Sequence, residues 1–145
     1  MKPHARITGR FAPAWLALAV LMPMACGSSG PEMARVKGRV TYQGKPVPKG
    51  TVTFQATAAD GRNATGQIDA DGYYSLQTEE PGDGALVGDY LVAISARDEP
   101  ILDYIPQKPI PPKFLVPAKY ENPATSGLKR AVPRGGGTID FELTD

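Results

Sequence analysis

The chain has very little of the three residue types on which much enzyme and metal chemistry depends. Histidine, tryptophan and cysteine each occur once among its 145 residues, as His4, Trp15 and Cys26. Everything after Cys26 therefore lacks an imidazole, an indole and a free thiol. Without an imidazole, Ser-His-Asp and Cys-His arrangements have no general base. Zinc sites draw mainly on His and Cys, and disulfides need a second Cys, so this part of the chain is expected to have neither.

An excess of charge of one sign is also lacking. After Cys26 the chain has 13 Lys and Arg and 15 Asp and Glu, a net charge of −2, and the basic residues are scattered. A weakly acidic domain is a poor electrostatic partner for a phosphate backbone. We therefore expect no nucleic-acid partner.

Residues 1–25 have the pattern of a secretory signal peptide. Lys2, Arg6 and Arg10 precede an apolar run from Phe11 to Met22, and no acidic residue interrupts either segment. The run is shorter than the roughly 20 residues that span a bilayer, and a charged start followed by a short apolar run is typical of export signals. We expect secretion across a bacterial inner membrane.

Cys26 and its neighbours resemble the bacterial lipobox. Ala25 precedes the cysteine and Gly27-Ser28-Ser29-Gly30 follows it, although Pro23 stands where that family favours Leu. The resemblance implies that the Cys26 thiol carries a diacylglycerol and that residues 26–33 are a lipidated cysteine with a flexible tether. The protein would then be anchored to a membrane of the cell envelope, on its periplasmic or outer-membrane face. The alternative is an ordinary signal peptide with an unmodified Cys26.

From Ala34 onward the apolar residues recur with a period of two, which predicts β-strands. Turn signals such as Gln43–Pro46 and Asp69–Gly72 separate the strands, and Gly88–Ala96 is apolar on both faces, as in a central strand. No long stretch has helical spacing. Six or seven short strands predict an all-β sandwich. Its predicted core is Val36, Val40, Val52, Phe54, Ile68, Tyr74, Leu76, Tyr90, Val92, Ile94, Leu128, Ile139, Phe141 and Leu143.

Three motifs in this region resemble carboxypeptidase regulatory-like domains. They are a strand, a G-x-P turn and a second strand between Val36 and Phe54, a D-x-D-G-x-Y motif at Asp69–Tyr74, and a G-x-Y motif at Gly88–Tyr90. Residues 120–128 and 139–143 resemble small lipoproteins common in planctomycete bacteria. The resemblance implies a seven-stranded Greek-key β-sandwich of the transthyretin-like (prealbumin-like) type over residues 34–145. It also implies a module without catalytic residues or cofactor, which binds protein or carbohydrate.

The segment from Arg97 to Pro123 holds seven prolines and is expected to be a long extended connection. Tyr104, Phe114 and Tyr120 lie in this segment, at or near the ends of its proline-rich part Ile105–Pro117, and two interpretations stay open for these rings. They could contact a ligand by stacking on a sugar, or they could pin the loop to the core. Ile110–Lys113 has the proline density of a polyproline II ligand, with a stiff connection as the alternative.

Carboxylates occur in two groups, each with a chemical and a structural interpretation. Asp69 and Asp71 suggest a fragment of a calcium loop or a turn in which Asp caps backbone N–H groups. Four acidic residues could supply a glycosidase pair or form a solvated loop. They are Glu79, Glu80, Asp83 and Asp89. We favour the structural interpretation of both groups and expect no bound metal.

The sequence as a whole predicts a non-catalytic, lipid-anchored binding or structural module of the cell envelope. Two alternatives remain open. One is a small hydrolase that uses carboxylate or tyrosine chemistry. The other is an accessory domain that docks by strand addition at an open sheet edge.

Replacing Cys26 with serine tests the lipid anchor. We expect Cys26→Ser to lose metabolic labelling with a palmitate analogue and to be released from membranes by an alkaline carbonate wash, because the hydroxyl does not replace the thiol as acceptor. Ser29→Ala, three residues further on, is the control and should behave as wild type. Retention of the label in Cys26→Ser would contradict the assignment.

Overall fold

The computed structural model describes residues 32–98, 108 and 110–145 and is all-β with several sheets, an arrangement consistent with a β-sandwich. The strands are β1 (Met33–Ala34), β2 (Val36–Tyr42), β3 (Lys45–Pro46), β4 (Gly50–Ala56), β5 (Ala64–Ile68), β6 (Tyr73–Ser75), β7 (Ala85–Leu86), β8 (Gly88–Ser95), β9 (Arg97–Asp98), β10 (Lys113–Phe114), β11 (Leu128–Val132), β12 (Gly137–Thr138) and β13 (Phe141–Leu143). One turn of 3₁₀ helix spans Ala118–Glu121.

One sheet has four antiparallel strands in the order β11-β8-β4-β5. β8 pairs with β4 on one side and with β11 on the other, so the prediction of a central strand at Gly88–Ala96 is confirmed. Residues 92–94 of β8 are all buried, which explains why both faces of this strand are apolar.

The second sheet is built around β2. β6 and β3 pair with it antiparallel, whereas β12 and β13 pair with it in parallel. Lys37 lies between Ser75 of β6 and Thr138 of β12, so these two strands flank β2 on opposite sides. The last strands of the described chain are thereby fixed beside the first long strand.

The turn at Asp69–Gly72 joins the two sheets. Its outer hydrogen bonds are those of a hairpin, because Asp69 N donates to Tyr73 O at 2.9 Å and Thr65 forms a bridge with Gln77. Between these points, however, β5 pairs with β4 and β6 pairs with β2. The predicted turn is therefore present, but the two strands that it connects diverge into different sheets.

The core lies between the two sheets and contains the residues expected from the period-two pattern. All of the predicted set is buried except Leu128 and Ile139, which are partly buried and pack against it. Four of its aromatic rings form a chain, with centroid distances of 5.6 Å from Tyr90 to Phe54, 6.1 Å from Phe54 to Phe141 and 6.1 Å from Phe141 to Tyr74. Three of these four rings belong to the sequence motifs described above.

Three boundaries differ from the sequence expectations. Met33, assigned to the tether, pairs with Leu86 in the β1–β7 ladder. Lys45 belongs to β3 and pairs back onto Tyr42, because the left-handed backbone of Gln43 and Gly44 makes a two-residue turn. The proline-rich connection has short ordered elements at its ends, namely β9, β10 and the 3₁₀ turn.

A partly buried carbonyl interrupts the pairing of the last strands with β2. In a regular parallel ladder Arg39 N would bond the Ile139 carbonyl. Here the Ile139 oxygen instead accepts the Tyr74 hydroxyl at 2.6 Å, and the Asp140 carboxylate accepts Arg39 N at 2.8 Å. A Cβ on Gly38 would lie 1.8 Å from that oxygen, so only glycine fits there. Tyr74, Gly38 and Ile139 thus form one structural unit.

Adjacent tyrosines give a matched test of this unit. Tyr74→Phe leaves the Ile139 carbonyl without its donor and should lower the free energy of unfolding by about 1–3 kcal/mol. Tyr73→Phe is the control, because the exposed Tyr73 hydroxyl makes no hydrogen bond with a described residue, and its effect should stay within about 0.5 kcal/mol. Urea unfolding measures both. Equal effects would show that the hydrogen bond from Tyr74 to Ile139 contributes no stability.

Candidate functional site

Two of the predicted site residues, Cys26 and Tyr104, lie outside the described residues, as do the signal peptide and most of the tether. The two remaining ligand-contact candidates have different environments. Tyr120 is 6% exposed, and its hydroxyl donates to Thr144 O at 2.8 Å, so its ring packs in the core and holds the loop there. Phe114 is 46% exposed, with the guanidinium carbon of Arg97 5.3 Å from its ring centroid.

Two ion pairs fasten the proline-rich connection, one between its two ends and one to Lys49, just before β4. Arg97 donates to both oxygens of Glu121 at 2.6 and 2.7 Å, and this hydrogen bonding holds the pKa of Glu121 below its usual value. Lys49 pairs with Asp98 and lowers the pKa of that carboxyl in the same way. All four charged groups therefore have a structural role in fastening this loop.

The first carboxylate group forms a turn. One oxygen of Asp69 accepts both Asp71 N and Tyr73 N at 2.9 Å, and Gly72 adopts a φ of 84° that favours glycine. This is the capping interpretation of the motif. Among the residues that the structure describes, no group of three or more His, Cys, Asp or Glu side chains is arranged to hold a metal ion.

The second carboxylate group is centred on Asp83. Its two oxygens accept the backbone N–H groups of Thr78, Glu79 and Glu80 at 2.7, 2.9 and 3.0 Å, and these bonds lower the pKa of the Asp83 carboxyl. Glu79 pairs with Arg62 instead of facing a second carboxylate. The arrangement closes a loop and does not resemble an acid–base pair.

A groove lies on the outward face of the second sheet, along β2 and β6, and we call it the β2–β6 groove. Its volume is about 760 Å³, against about 290 to 370 Å³ for three other depressions on the surface. The side chains that bring polar or aromatic groups to it include Lys37, Arg39, Gln67, Tyr73, Ser75 and Asp140. Binding sites for small molecules commonly have volumes of about 300 to 1,000 Å³.

Strand alternation and register create this surface. Tyr73 lies directly opposite Arg39 across the antiparallel pair, and Ser75 lies opposite Lys37. These four side chains point away from the core, because the residues between them, Gly38 and Tyr74, point into it. The floor of the groove is therefore a two-by-two array on rigid, paired backbone.

Arg39 and Tyr73 form a cross-strand pair within the array. The Arg39 guanidinium carbon lies 5.1 Å from the centroid of the Tyr73 ring, while Arg39 Nε donates to Asp71 O at 3.1 Å. These contacts orient the guanidinium. The Tyr73 side chain remains 52% exposed, the most exposed large apolar group among the described residues.

Apart from Asp69, which the sequence assigned to a turn, the polar and aromatic groove residues were not predicted as site residues from the sequence. Tyr73 belongs to the D-x-D-G-x-Y motif but occupies its variable position, next to the aromatic residue that defines the motif. Strand alternation could have identified it. Tyr73 and Tyr74 must face opposite sides of a strand, so only one of the two rings can lie in the core and the other must be on the surface. Gln67 and Asp140 come from other parts of the chain and reach the groove only in the folded protein.

Comparison with known proteins gives no match, whether with family models, curated proteins or solved structures. Within the described part of the chain no helix is both long and apolar enough to cross a membrane. The site is therefore interpreted from its own chemistry.

Asp83→Asn tests the structural role of the acidic loop. A carboxyl whose folded pKa is below its unfolded value contributes stability that is complete above the unfolded value, near 3.8, and lost as pH falls through the folded value. We therefore expect Asp83→Asn to lower the urea midpoint at pH 7 and to lose this deficit as the pH falls below 3.8.

Glu80→Gln is the matched control in the same loop, because the Glu80 side chain makes no hydrogen bond with a described residue. Its midpoint should follow wild type across the pH range. A pH-independent deficit in Asp83→Asn would contradict the role given to the ionised carboxylate.

Proposed function

We propose that this protein is a non-catalytic, lipid-anchored binding module of the bacterial cell envelope, with Cys26 as the anchor and a transthyretin-like Greek-key sandwich as the binding domain. The observation that carries the proposal is the β2–β6 groove, where an exposed ring and polar groups of both charges converge on rigid strands. A protein or a carbohydrate of the envelope is its partner.

The aromatic chain of the core supports the family resemblance on which this fold is proposed. The motif residues Phe54, Tyr74 and Tyr90 come from three separate parts of the sequence, yet all contribute rings to one chain. Their spacing in the sequence therefore has a common structural cause. Membership of the carboxypeptidase regulatory-like family, and of its planctomycete lipoproteins in particular, is proposed on this basis.

The directions of the pKa shifts favour binding over the hydrolase alternative. A general acid needs a carboxyl pKa raised towards neutrality, and a phenolate base needs a lowered tyrosine pKa. Among the described residues the shifted carboxyls, Asp83, Asp98 and Glu121, all move down. The shifted tyrosines all move up, and in Tyr42 the main cause is its hydrogen bond to Asp145.

A sedimentation experiment with the unanchored protein tests the proposal. Cys26→Ser protein should sediment with purified envelope fragments in a saturable manner, in mild buffer, and excess untagged protein should displace it. The same preparation should hydrolyse neither p-nitrophenyl esters nor p-nitrophenyl glycosides above the rate of buffer.

Two results would contradict the proposed function. Sedimentation that is absent or not saturable argues against a binding module. Hydrolysis that disappears in Asp145→Asn, which removes the carboxylate hydrogen-bonded to Tyr42, would establish the enzyme alternative instead.

A further inference from the structure

We infer that the β2–β6 groove is a carbohydrate-binding site, in which the Tyr73 ring stacks on a pyranose ring and the polar side chains around it bond the sugar hydroxyls. The inference rests on the proposed function, because it names the ligand class of that binding module. It also places the ligand contact at Tyr73 of β6, which lies opposite Arg39, and not on the proline-rich connection.

The Tyr73 ring is suited to stacking because it is both exposed and held in place. Its neighbour Tyr74 is 3% exposed and bonded to Ile139 O, which fixes the backbone of β6 from the inside. The Arg39 guanidinium contacts the ring from the neighbouring strand, so the ring has little freedom to lose on binding. A sugar ring presents a face of C–H groups that matches such an apolar plane.

The polar groups around the ring suit hydroxyls, each of which both donates and accepts hydrogen bonds. Lys37 supplies donors and makes no ion pair with a described residue. Asp140 uses one carboxylate oxygen for Arg39 N and has the other left to accept. Gln67 contributes an amide with both functions. The groove thus offers both donors and acceptors along with one exposed aromatic ring.

The charge balance argues for a neutral ligand. Lys37 and Arg39 are matched by Asp69 and Asp140, so a polyanion would meet as much repulsion as attraction. A lipid chain or an apolar helix would need exposed aliphatic side chains, and the groove presents an aromatic ring among polar groups instead. A neutral sugar satisfies both conditions.

The dimensions agree with a site for one or two sugar units. Outward residues two apart on a strand are separated by about 7 Å, and adjacent strands by about 5 Å. The array of Lys37, Arg39, Tyr73 and Ser75, extended by Thr138 on β12, therefore provides a floor of about 7 by 10 Å. A longer glycan would extend beyond it along the groove.

The chain itself offers a matched control for the ring. Phe114 is a second exposed aromatic residue, 46% against 52% for Tyr73, and it likewise lies beneath an arginine, Arg97, at 5.3 Å against 5.1 Å for Arg39. It is also one of the three candidate ligand contacts that the sequence offered. Phe114 does not line the groove. Truncating it therefore removes an exposed ring without changing the groove, and shows whether the position of the lost ring matters.

The test is calorimetric titration of the Cys26→Ser protein with cellohexaose, chitohexaose and mannohexaose, and with oligogalacturonate as an anionic comparison. At least one neutral hexasaccharide should bind. Tyr73→Ala should weaken that binding by about tenfold or more, whereas Tyr73→Phe, which keeps the ring, and Phe114→Ala should stay within about twofold of wild type. Lys37→Met should weaken it several-fold. Thermal unfolding should show that Tyr73→Ala remains folded, since the residue is exposed.

Several outcomes would overturn the inference. They are binding by none of the neutral hexasaccharides, preference for oligogalacturonate, unchanged binding in Tyr73→Ala, or loss of binding in Phe114→Ala. If the wild-type protein still sediments saturably with envelope fragments while one of these occurs, only the sugar site fails and a protein partner becomes the ligand. If saturable sedimentation itself is absent, the proposed function fails as well.

Discussion

The hydrogen bond from the Tyr74 hydroxyl to the Ile139 carbonyl is the interaction on which both faces of the second sheet depend. It draws a backbone oxygen into the core, which only the missing Cβ of Gly38 allows. It also ends the regular pairing of the last strands with β2, so that Asp140 takes over Arg39 N from the outside. One partly buried hydrogen bond therefore closes the core at this point and leaves the Asp140 carboxylate on the side of the groove.

The same few residues that turn the chain between the sheets also build the proposed site. Asp69 holds the backbone of Asp71 and Tyr73 with a single oxygen, and Asp71 O then receives Arg39 Nε. The turn therefore fixes where Tyr73 starts β6 and how Arg39 faces it. Structure and binding surface are coupled here, because a rigid turn and paired strands hold the groove in shape before any ligand arrives.

The core could be predicted from the sequence because burial on one face imposes a period of two, which Val36 to Val40 and Phe141 to Leu143 follow closely. The site could not, because its residues come from β2, β5, β6 and the segment between β12 and β13, and only the fold unites them. Arg130 shows a limit of the period-two pattern as a guide to the core. It breaks the alternation of β11, yet its guanidinium lies 5.0 Å from the Phe141 centroid and covers the core at the sheet edge.

The edges of the two sheets also bear on how the protein could meet a partner. Strand addition needs a long, uncharged edge. β11 carries Lys129 and the inward-directed Arg130, a device that protects edges from pairing. β12 and β13 are two and three residues long, because the Ile139 carbonyl, which bonds Tyr74 and not β2, separates them. These three strands therefore offer no uninterrupted ladder. β5, the other edge of the four-stranded sheet, carries no charged residue and pairs on its outer side at the Thr65–Gln77 bridge. The groove on the face of β2 and β6, by contrast, rests on backbone that is already paired. Recognition by side chains on that face, as proposed above, therefore requires no free strand edge.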